Sequence, residues 1–453
     1  MRYFFLNTDT VKRLLMTGLA ILAHNTVTKS AYGSPSLDSD KQTLKAVSIT
    51  DFGKIGTSDD SKVLQTALDS AESRGQPLVI PSGSVINIRG TVYLGSINLL
   101  AKGATINIYL DKLFKVRGKA LRKNEGAILT KSASGAGYGR GVIRISFDSL
   151  KINTIRSSNL AGPKTGLLLE NVAALKGTSL QVSARGTGRS EVNPLDFFAG
   201  VQGVRIFDID VSMNNPGGHG GFWIRNFSPI RATADIRVDR VNAEGSSADE
   251  LVSIFNSGDQ QSDLHDISIG TVNVRPSGGG GMGLSIYRNA GDYDPSKMQR
   301  ISIGQVNLTI GAIGPLGDST GGFGFKVQKC YVQVGSVSIR YVGLWTPALP
   351  YIFGIRFAPG SNQSAPLFIP RISIENDSRN SIRVRSAAML YGPIRTDKLV
   401  VRGSGTGFRQ IAYGADEIGF ADLQSSQTDE PFVRTKTVRG RLNGVAFQIE
   451  QRR

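Results

Sequence analysis

Two stretches that repeat one pattern decide the fold: LHDISIGTVNV, from Leu264 to Val274, and QRISIGQVNL, from Gln299 to Leu308. Apolar and polar residues alternate in both, and β-branched residues are frequent, which predicts β-strands with one buried face. The stretches GVRIFDIDVSM, TADIRVDRVNA and YVQVGSVSIRYV follow the same pattern. Aligning one valine from each gives steps of 30, 31, 34 and 31 residues, for Val211, Val241, Val272, Val306 and Val337. A period of this length indicates a solenoid.

A second, shorter series of strands lies between these and follows the same step, as GFWIRN, LVSIFN, LSIYRN, FGFKV and FGIRF. Two strands in one repeat cannot bury a face alone, whereas coils stacked about 4.8 Å apart bury one continuous core. The sequence therefore predicts an all-β fold, a single-stranded right-handed parallel β-helix. The strand content of a β-propeller and the leucine spacing of a leucine-rich repeat do not fit.

Three asparagines close the second strand of successive coils, at positions 226, 256 and 289. Equivalent asparagines on stacked coils can hydrogen-bond to one another along the stack. We therefore interpret Asn226, Asn256 and Asn289 as a structural ladder in a turn rather than as catalytic residues.

An N-terminal α-helix is predicted ahead of the coils. Asp59 and Asp60 are candidate capping residues, and Gly75 follows the last helical turn. One helical face is apolar and carries Val63, Leu64, Ala67, Leu68 and Ala71. Such a helix would cover the open end of the solenoid, whose terminal coil has no neighbour.

The chain begins with a segment typical of an export signal, in which two cations precede the apolar run LLMTGLAILA. We predict a signal peptide at residues 1–33, a linker at 34–46 and a β-helix domain at 47–453. Within that domain, 47–110 form the N-terminal cap and first coils, and 200–415 form the most regular coils. The expected location is periplasmic or secreted, in a bacterium, with no stable membrane insertion after cleavage.

The net charge of +17 indicates a polyanionic partner, although a basic surface can also serve solubility alone. Residues 1–33 carry four cations and one acid, so the mature chain keeps +14 of the +17. For an exported protein we expect an acidic polysaccharide rather than nucleic acid. The single cysteine, Cys330, excludes an intrachain disulfide, and three histidines provide no zinc-ligand spacing. No cofactor is predicted, with Ca²⁺ a possibility only for a lyase.

The segment ITDFGKIGTSDDSKVLQTALDSA followed by LVIPSG resembles the N-terminal signature of the pectate-lyase-like β-helix superfamily. That superfamily covers polygalacturonases, phage tailspikes and exopolysaccharide-processing proteins. The segment GGGMGLSIYRNAGDYDP also resembles the β-helix proteins encoded with colanic acid biosynthesis. The resemblance implies that the polygalacturonase Asp-Asp motif falls on Asp249 and Glu250, and the Arg-Ile-Lys motif on Gly324-Phe325-Lys326. The Gly-His-Gly motif falls on Gly281-Met282-Gly283, so the site implied is degenerate.

A site built from these residues would lie along the second strands. Asp249 is the predicted proton donor, with Glu250 or Asp292 activating water as the second carboxylate of a glycosidase. The predicted substrate-binding residues are His219, Arg225, Tyr287, Arg288, Tyr293, Asp294 and Lys326. The alternative is a β-eliminating lyase with Lys326 or Arg288 as base. The structural alternative is a polar turn at Asp249-Glu250, a turn residue at His219 and a solvated Lys326.

The function predicted from the sequence is hydrolysis or β-elimination of an acidic bacterial exopolysaccharide during its biosynthesis or processing. The alternative is a non-catalytic β-helix that binds the polysaccharide during assembly or export. The sequence leaves open whether the protein is a monomer or a side-by-side trimer.

Overall fold

The computed structural model describes residues 45–450 except 111–114, 117–118, 121–125, 134–140, 157–164, 187–191, 216–219, 228–230, 248–249, 257–262, 280–281, 290, 312–322, 343–352, 377–389, 404–416, 426–436 and 443–444. The predicted signal peptide and most of the predicted linker lie outside this range. In the part that is described, no helix is both long enough and apolar enough to cross a membrane.

The described residues form one α-helix, α1 (Ser61–Arg74), one short 3₁₀ helix (Ile49–Phe52) and thirty strands. The strands are β1 (Val47–Ser48), β2 (Leu78–Val79), β3 (Val85–Ile88), β4 (Val92–Leu94), β5 (Ile97–Leu100), β6 (Thr105–Tyr109), β7 (Lys115–Val116), β8 (Lys119–Ala120), β9 (Gly126–Thr130), β10 (Ile143–Arg156), β11 (Thr165–Glu170), β12 (Val172–Gly186), β13 (Asn193–Ala199), β14 (Gln202–Asn215), β15 (Phe222–Asn226), β16 (Thr233–Ser247), β17 (Glu250–Asn256), β18 (Leu264–Gly279), β19 (Met282–Arg288), β20 (Met298–Ile310), β21 (Phe323–Gln328), β22 (Val332–Tyr341), β23 (Phe353–Ala358), β24 (Leu367–Phe368), β25 (Arg371–Asn376), β26 (Leu390–Tyr391), β27 (Ile394–Gly403), β28 (Glu417–Ser425), β29 (Thr437–Leu442) and β30 (Val445–Glu450).

The strands stack into two long sheets, sheet A with eighteen strands and sheet B with ten. Each long strand of sheet A pairs in parallel with the equivalent strand of the next coil, in the order β10, β12, β14, β16, β18, β20 and β22. Sheet B stacks in the same way from β4 to β26. Antiparallel pairs among the described strands are β7 with β8 and β29 with β30. The predicted parallel β-helix is confirmed.

One row of core residues shows how the coils are aligned. Its members are in register on successive strands of sheet A and are buried: Leu150, Leu180, Ile209, Val241, Val272, Val306 and Val337. The predicted alignment is therefore confirmed from Val241 onward. It is wrong for Val211, which is in register with Ala243, whereas Ile209 pairs with Val241. Both Ile209 and Val211 face the core, so apolar alternation alone cannot separate two registers that differ by two residues.

The long strands of sheet A bend where two successive side chains face outward. In β16 these are Asp239 and Arg240, after which the alternation resumes in the opposite phase. The next three coils have glycine at the first of these positions, at 270, 304 and 335. A Cβ atom on Gly304 would overlap the carbonyl oxygen of Gly270, so this close stacking requires glycine. The bend divides sheet A into a first outward face before it and a second outward face after it.

The predicted N-terminal helix is present and packs against β1, β2, β4 and β5 at the N-terminal end of the stack. Its N-cap residue is Asp60, whose buried carboxylate accepts hydrogen bonds from the backbone of Gly56, Thr57 and Asn87 rather than from the helix. The Asp59 carboxylate accepts from the backbone N–H of Ser61 at 3.0 Å. Asp60 therefore fastens the start of the helix to the preceding turn and to β3, while Asp59 satisfies a donor of the first turn of the helix.

Candidate functional site

A groove runs along the second outward face of sheet A and has a volume of about 640 Å³. Residues of β10, β12, β14, β16, β18 and β20 line it, so its long axis follows the direction in which the coils stack. Neighbouring strands lie about 4.8 Å apart, and each coil therefore adds one step of that length. We call this feature the sheet A groove.

The first row of side chains in the groove is mostly amide. Its members are in register on the six strands: Lys151, Gln181, Asp210, Asn242, Asn273 and Asn307. Each asparagine donates from Nδ2 to Oδ1 of the residue on the preceding coil at 2.7 Å, ending on the carboxylate of Asp210. The row is therefore an asparagine ladder with fixed side-chain orientations.

The second row lies two residues further along the same strands. Its members in the groove are Asn153, Ser183, Ser212, Glu244, Arg275 and Thr309. Towards the N-terminus this row continues as a further ladder, in which Asn153 donates to Asn107 at 3.0 Å and Asn107 donates to Asn87 at 3.1 Å. The groove thus presents short side chains with both hydrogen-bond donors and acceptors at every coil.

Four charged side chains line the sheet A groove, and they balance one another. Lys151 and Arg275 are cationic, and Asp210 and Glu244 are anionic. Among the described residues, Lys151, Glu244 and Arg275 have no hydrogen bond or ion pair and are exposed. Asp210 accepts the hydrogen bond from Asn242. Three charges of the groove are therefore open to a ligand.

The predicted substrate-binding residue Arg225 lies on β15 of sheet B and is buried. Its guanidinium binds the carboxylate of Asp196, which is completely buried, with Nε 3.0 Å from Oδ1 and a second bond from Nη2 to Oδ2. The rings of Phe198 and Phe227 flank it at 4.8 and 4.9 Å from the guanidinium carbon. Burial raises the pKa of Asp196, and Arg225 opposes that rise. Arg225 is therefore part of a buried ion pair with Asp196.

The predicted site residues Tyr287 and Lys326 lie close together on the outer side of sheet B, although Lys326 is in register with Ser285 rather than with Tyr287. The Tyr287 ring stacks on Phe255 with centroids 5.0 Å apart, and Lys326 Nζ lies 5.0 Å from the Tyr287 centroid. Lys326 is also 5.2 Å from the centroid of Phe323. The ammonium group of Lys326, which is a candidate base in the lyase hypothesis, therefore lies beside the aromatic rings of Tyr287 and Phe323.

Asp292, Tyr293 and Asp294 follow the end of β19, whose last residue is Arg288. The buried Arg288 donates to the backbone carbonyl of Asp292, and its Nη1 lies 3.8 Å from Asp294 Oδ2. Asp292 accepts hydrogen bonds from the backbone and hydroxyl of Ser361, which lower the pKa of its carboxyl. Tyr293 makes an edge contact with Tyr331 at 5.7 Å. These contacts tie the segment after β19 to a later coil.

The structure does not bring Glu250 and Asp292 together. Glu250 pairs with Met282 at the start of the strands and Asn256 pairs with Arg288 at their end, six residues away. Six residues of strand span roughly 20 Å, and Asp292 lies beyond that end. Glu250 and Asp292 are therefore too far apart to act together, since a glycosidase needs carboxyl groups within about 5–9.5 Å. The predicted pairs, Asp249 with Glu250 or with Asp292, both depend on the position of Asp249. Asp249 and His219 lie outside the described residues.

No protein-family model and no curated protein matches this chain. Among solved structures it is similar to a double mutant of the tailspike protein of E. coli bacteriophage HK620 in complex with a pentasaccharide. The identity is 11% and the TM-score 0.34, over 88% of this chain and 78% of that chain. We therefore infer the function of this chain from its own side chains.

The predicted asparagine ladder of sheet B is wrong in its third member. Asn226 and Asn256 are in register, but the next position is Arg288 rather than Asn289. The amides of Asn226 and Asn256 donate to backbone carbonyls of the following turns, at Asp263 and Lys297. They cap turns instead of bonding to each other.

Sequence reasoning missed the ladder in the sheet A groove, although a signal for it was present. A Val-Asn pair recurs at 241–242, 272–273 and 306–307, with the period already found for the valines. An outward residue that repeats with the core is placed in one row by the stacking of the coils. Among the described residues no cluster of three or more His, Cys, Asp or Glu could hold a metal ion.

Proposed function

We propose that this protein binds an extended polysaccharide along the sheet A groove. The observation that carries the proposal is the pair of in-register polar rows that line an open groove along the stacking direction. Amide and hydroxyl groups both donate and accept hydrogen bonds, as sugar hydroxyls do. Because the rows repeat about every 4.8 Å, close to the length of one sugar in an extended glycan, successive sugars meet equivalent side chains.

The polymer proposed is an acidic bacterial exopolysaccharide, bound during its assembly or export in the periplasm or outside the cell. The net charge of +17 supports an anionic partner, because a basic surface attracts polyanions over long range. The export segment expected from the sequence supports the location.

A side chain that fills the groove is expected to abolish much of this binding. Ser212 is an exposed member of the second row on β14. Replacing Ser212 by Leu should weaken binding of the polysaccharide purified from the producing cells at least about tenfold, or roughly 1.4 kcal/mol. Isothermal titration calorimetry measures the change.

The matched control is Ser268→Leu. Ser268 is also exposed on sheet A but lies before the bend, on the first outward face. The Ser268→Leu substitution should leave the affinity for the polysaccharide unchanged, and both variants should keep the thermal stability of the wild type. Equal affinities of the Ser212 variant and wild type would show that the groove is not the binding site.

Hydrolysis of the bound glycan is a second candidate function, because two acidic residues of the groove have Cα atoms close enough for their carboxyl groups to reach the spacing of a glycosidase. Asp210 is in register with Asn242 on the neighbouring strand, and Glu244 lies two residues after Asn242. The Cα atoms of Asp210 and Glu244 are therefore roughly 8 Å apart. Inverting glycosidases hold their carboxyl groups about 6.5–9.5 Å apart. One group would protonate the leaving glycosidic oxygen while the other removes a proton from the attacking water. The bond to the anomeric carbon breaks, and a new reducing end forms.

Asp210→Asn and Glu244→Gln are each expected to lower the rate of reducing-end formation at least about 100-fold, because a positioned acid or base contributes this much. Both substitutions keep the side-chain size, so glycan binding measured by calorimetry should persist. A wild-type protein that binds the glycan and releases no new reducing ends would exclude the hydrolase and leave the binding function.

A further inference from the structure

The charge order of the sheet A groove carries an inference about the kind of glycan it accepts. We infer that the groove selects a heteropolysaccharide whose acidic sugars are separated by several neutral ones, and disfavours a polymer with a carboxylate on every sugar. This inference rests on the proposed polysaccharide-binding function and narrows its ligand.

The charges of the groove occur in the order cation, anion, anion, cation along the stack. Lys151 lies on β10, Asp210 on β14, Glu244 on β16 and Arg275 on β18. Four strand steps separate the two cations, which corresponds to roughly 19 Å. The two carboxylates occupy two of the three coils between the cations, with Asp210 two steps from Lys151 and Glu244 one step from Arg275. A glycan along the groove therefore meets positive charge at the ends of this segment and negative charge in its middle.

Arg275 is in register with Glu244 one strand away, although the two form no ion pair among the described residues, and the other neighbouring charges do not offset the two carboxylates. Arg240 lies near Asp210, but its guanidinium is held by both oxygens of Asp208 at 2.7 and 2.8 Å. Beyond the groove, Arg340 and Glu375 are in register with one another on β22 and β25. A uronate placed over the middle coils would face Asp210 and Glu244, and like charges at such distances repel.

The remaining side chains of the groove suit neutral sugars between the acidic ones. The amides of Gln181, Asn242 and Asn273 and the hydroxyl of Ser212 present uncharged donors and acceptors between the two cations. Arg275 can bind a carboxylate through two parallel hydrogen bonds, whereas Lys151 offers a point charge. An acidic sugar at each end and neutral sugars between them satisfy every coil.

The test compares three linear polysaccharides at low ionic strength by isothermal titration calorimetry. The probes are dextran, which is neutral, polygalacturonate, which is acidic at every sugar, and deacylated gellan, which has one uronate in each tetrasaccharide repeat. Gellan is expected to bind at least tenfold more tightly than polygalacturonate. Equal or tighter binding of polygalacturonate would overturn the inference.

Two double variants separate the charges from the rest of the groove. Asp210→Asn with Glu244→Gln should raise the affinity for polygalacturonate at least tenfold and change that for gellan little. Lys151→Gln with Arg275→Gln should weaken gellan binding about tenfold and leave dextran unaffected. An unchanged preference in either variant would overturn the inference.

The same experiments distinguish a wrong binding function from a wrong charge selection. If none of the three polymers binds, or if Ser212→Leu affects none of them, the groove is not a glycan site and the inference falls with it. If Ser212→Leu weakens all three while wild type binds them equally, the groove binds glycans and only the charge selection is wrong.

Discussion

Replacing Arg225 by Met is expected to lower the free energy of unfolding by about 3–5 kcal/mol, because it leaves a buried carboxylate without its cation. Asp196 is completely buried and Arg225 is the one cation bonded to it in the described structure. Methionine keeps most of the side-chain volume, so the loss measures the unpaired charge rather than a cavity. Denaturant titration of the wild type and variant measures the difference.

The pH dependence distinguishes this cause from a packing defect. Burial already raises the pKa of Asp196, and without Arg225 only the effect of burial remains. A carboxyl whose folded pKa lies above its unfolded value of about 3.9 destabilises the fold at neutral pH. The variant should therefore regain stability relative to wild type as the pH falls through the raised pKa.

The double variant Asp196→Asn with Arg225→Met removes both charges and is expected to recover much of the loss. A single variant that loses less than about 1 kcal/mol would contradict a buried and unpaired charge. Glycan affinity tests the role predicted for Arg225 from the sequence. Because Asp196 and the aromatic rings occupy its guanidinium, the affinity of the folded variant should equal that of wild type.

Gly245→Ala is expected to destabilise the protein by about 3 kcal/mol or more, from two costs that add. Gly245 has a φ of 114°, a conformation that side chains disfavour, and a Cβ atom there would overlap the carbonyl oxygen of Met213 on the preceding coil. A disfavoured backbone conformation and an overpacked contact each cost about 1–3 kcal/mol. Thermal unfolding measures the effect.

Two glycines of this chain separate the two costs. Gly83 has a φ of 78° with nothing within 4 Å of an added Cβ, so Gly83→Ala should show the conformational cost alone. Gly141 has neither a positive φ nor a close neighbour, and Gly141→Ala should be neutral or slightly stabilising. If Gly245→Ala costs no more than Gly83→Ala, the close approach of the coils at Met213 tolerates a methyl group.

The sequence predicted the fold well because the coil repeats its core. Val241, Val272, Val306 and Val337 occupy one buried row, as their spacing indicated. The alignment failed at Val211, where a second apolar residue two positions away satisfies the same alternation. Period and alternation thus determine the fold and most of the register, but not a shift by two residues.

The candidate site was harder to predict because outward residues are not constrained by the core. The resemblance drew attention to sheet B, where Arg225 pairs with Asp196 and Arg288 holds a turn. The groove lies on sheet A and consists of residue types that are common on any polar surface. The recurring Val-Asn pair indicates that Asn242, Asn273 and Asn307 form one row, but the groove that continues this row over six strands is visible only in the register of the structure.

The asparagine ladder has a polarity, since every amide in it points the same way. Asn307 donates to Asn273, Asn273 to Asn242, and Asn242 to Asp210, always towards the N-terminal coil. The amide dipoles therefore add along the groove, and hydrogen bonds in such a chain polarise one another. A glycan is itself directional, with a reducing and a non-reducing end. If the groove binds a glycan as proposed, the aligned amides should make the two orientations of the bound chain unequal in energy.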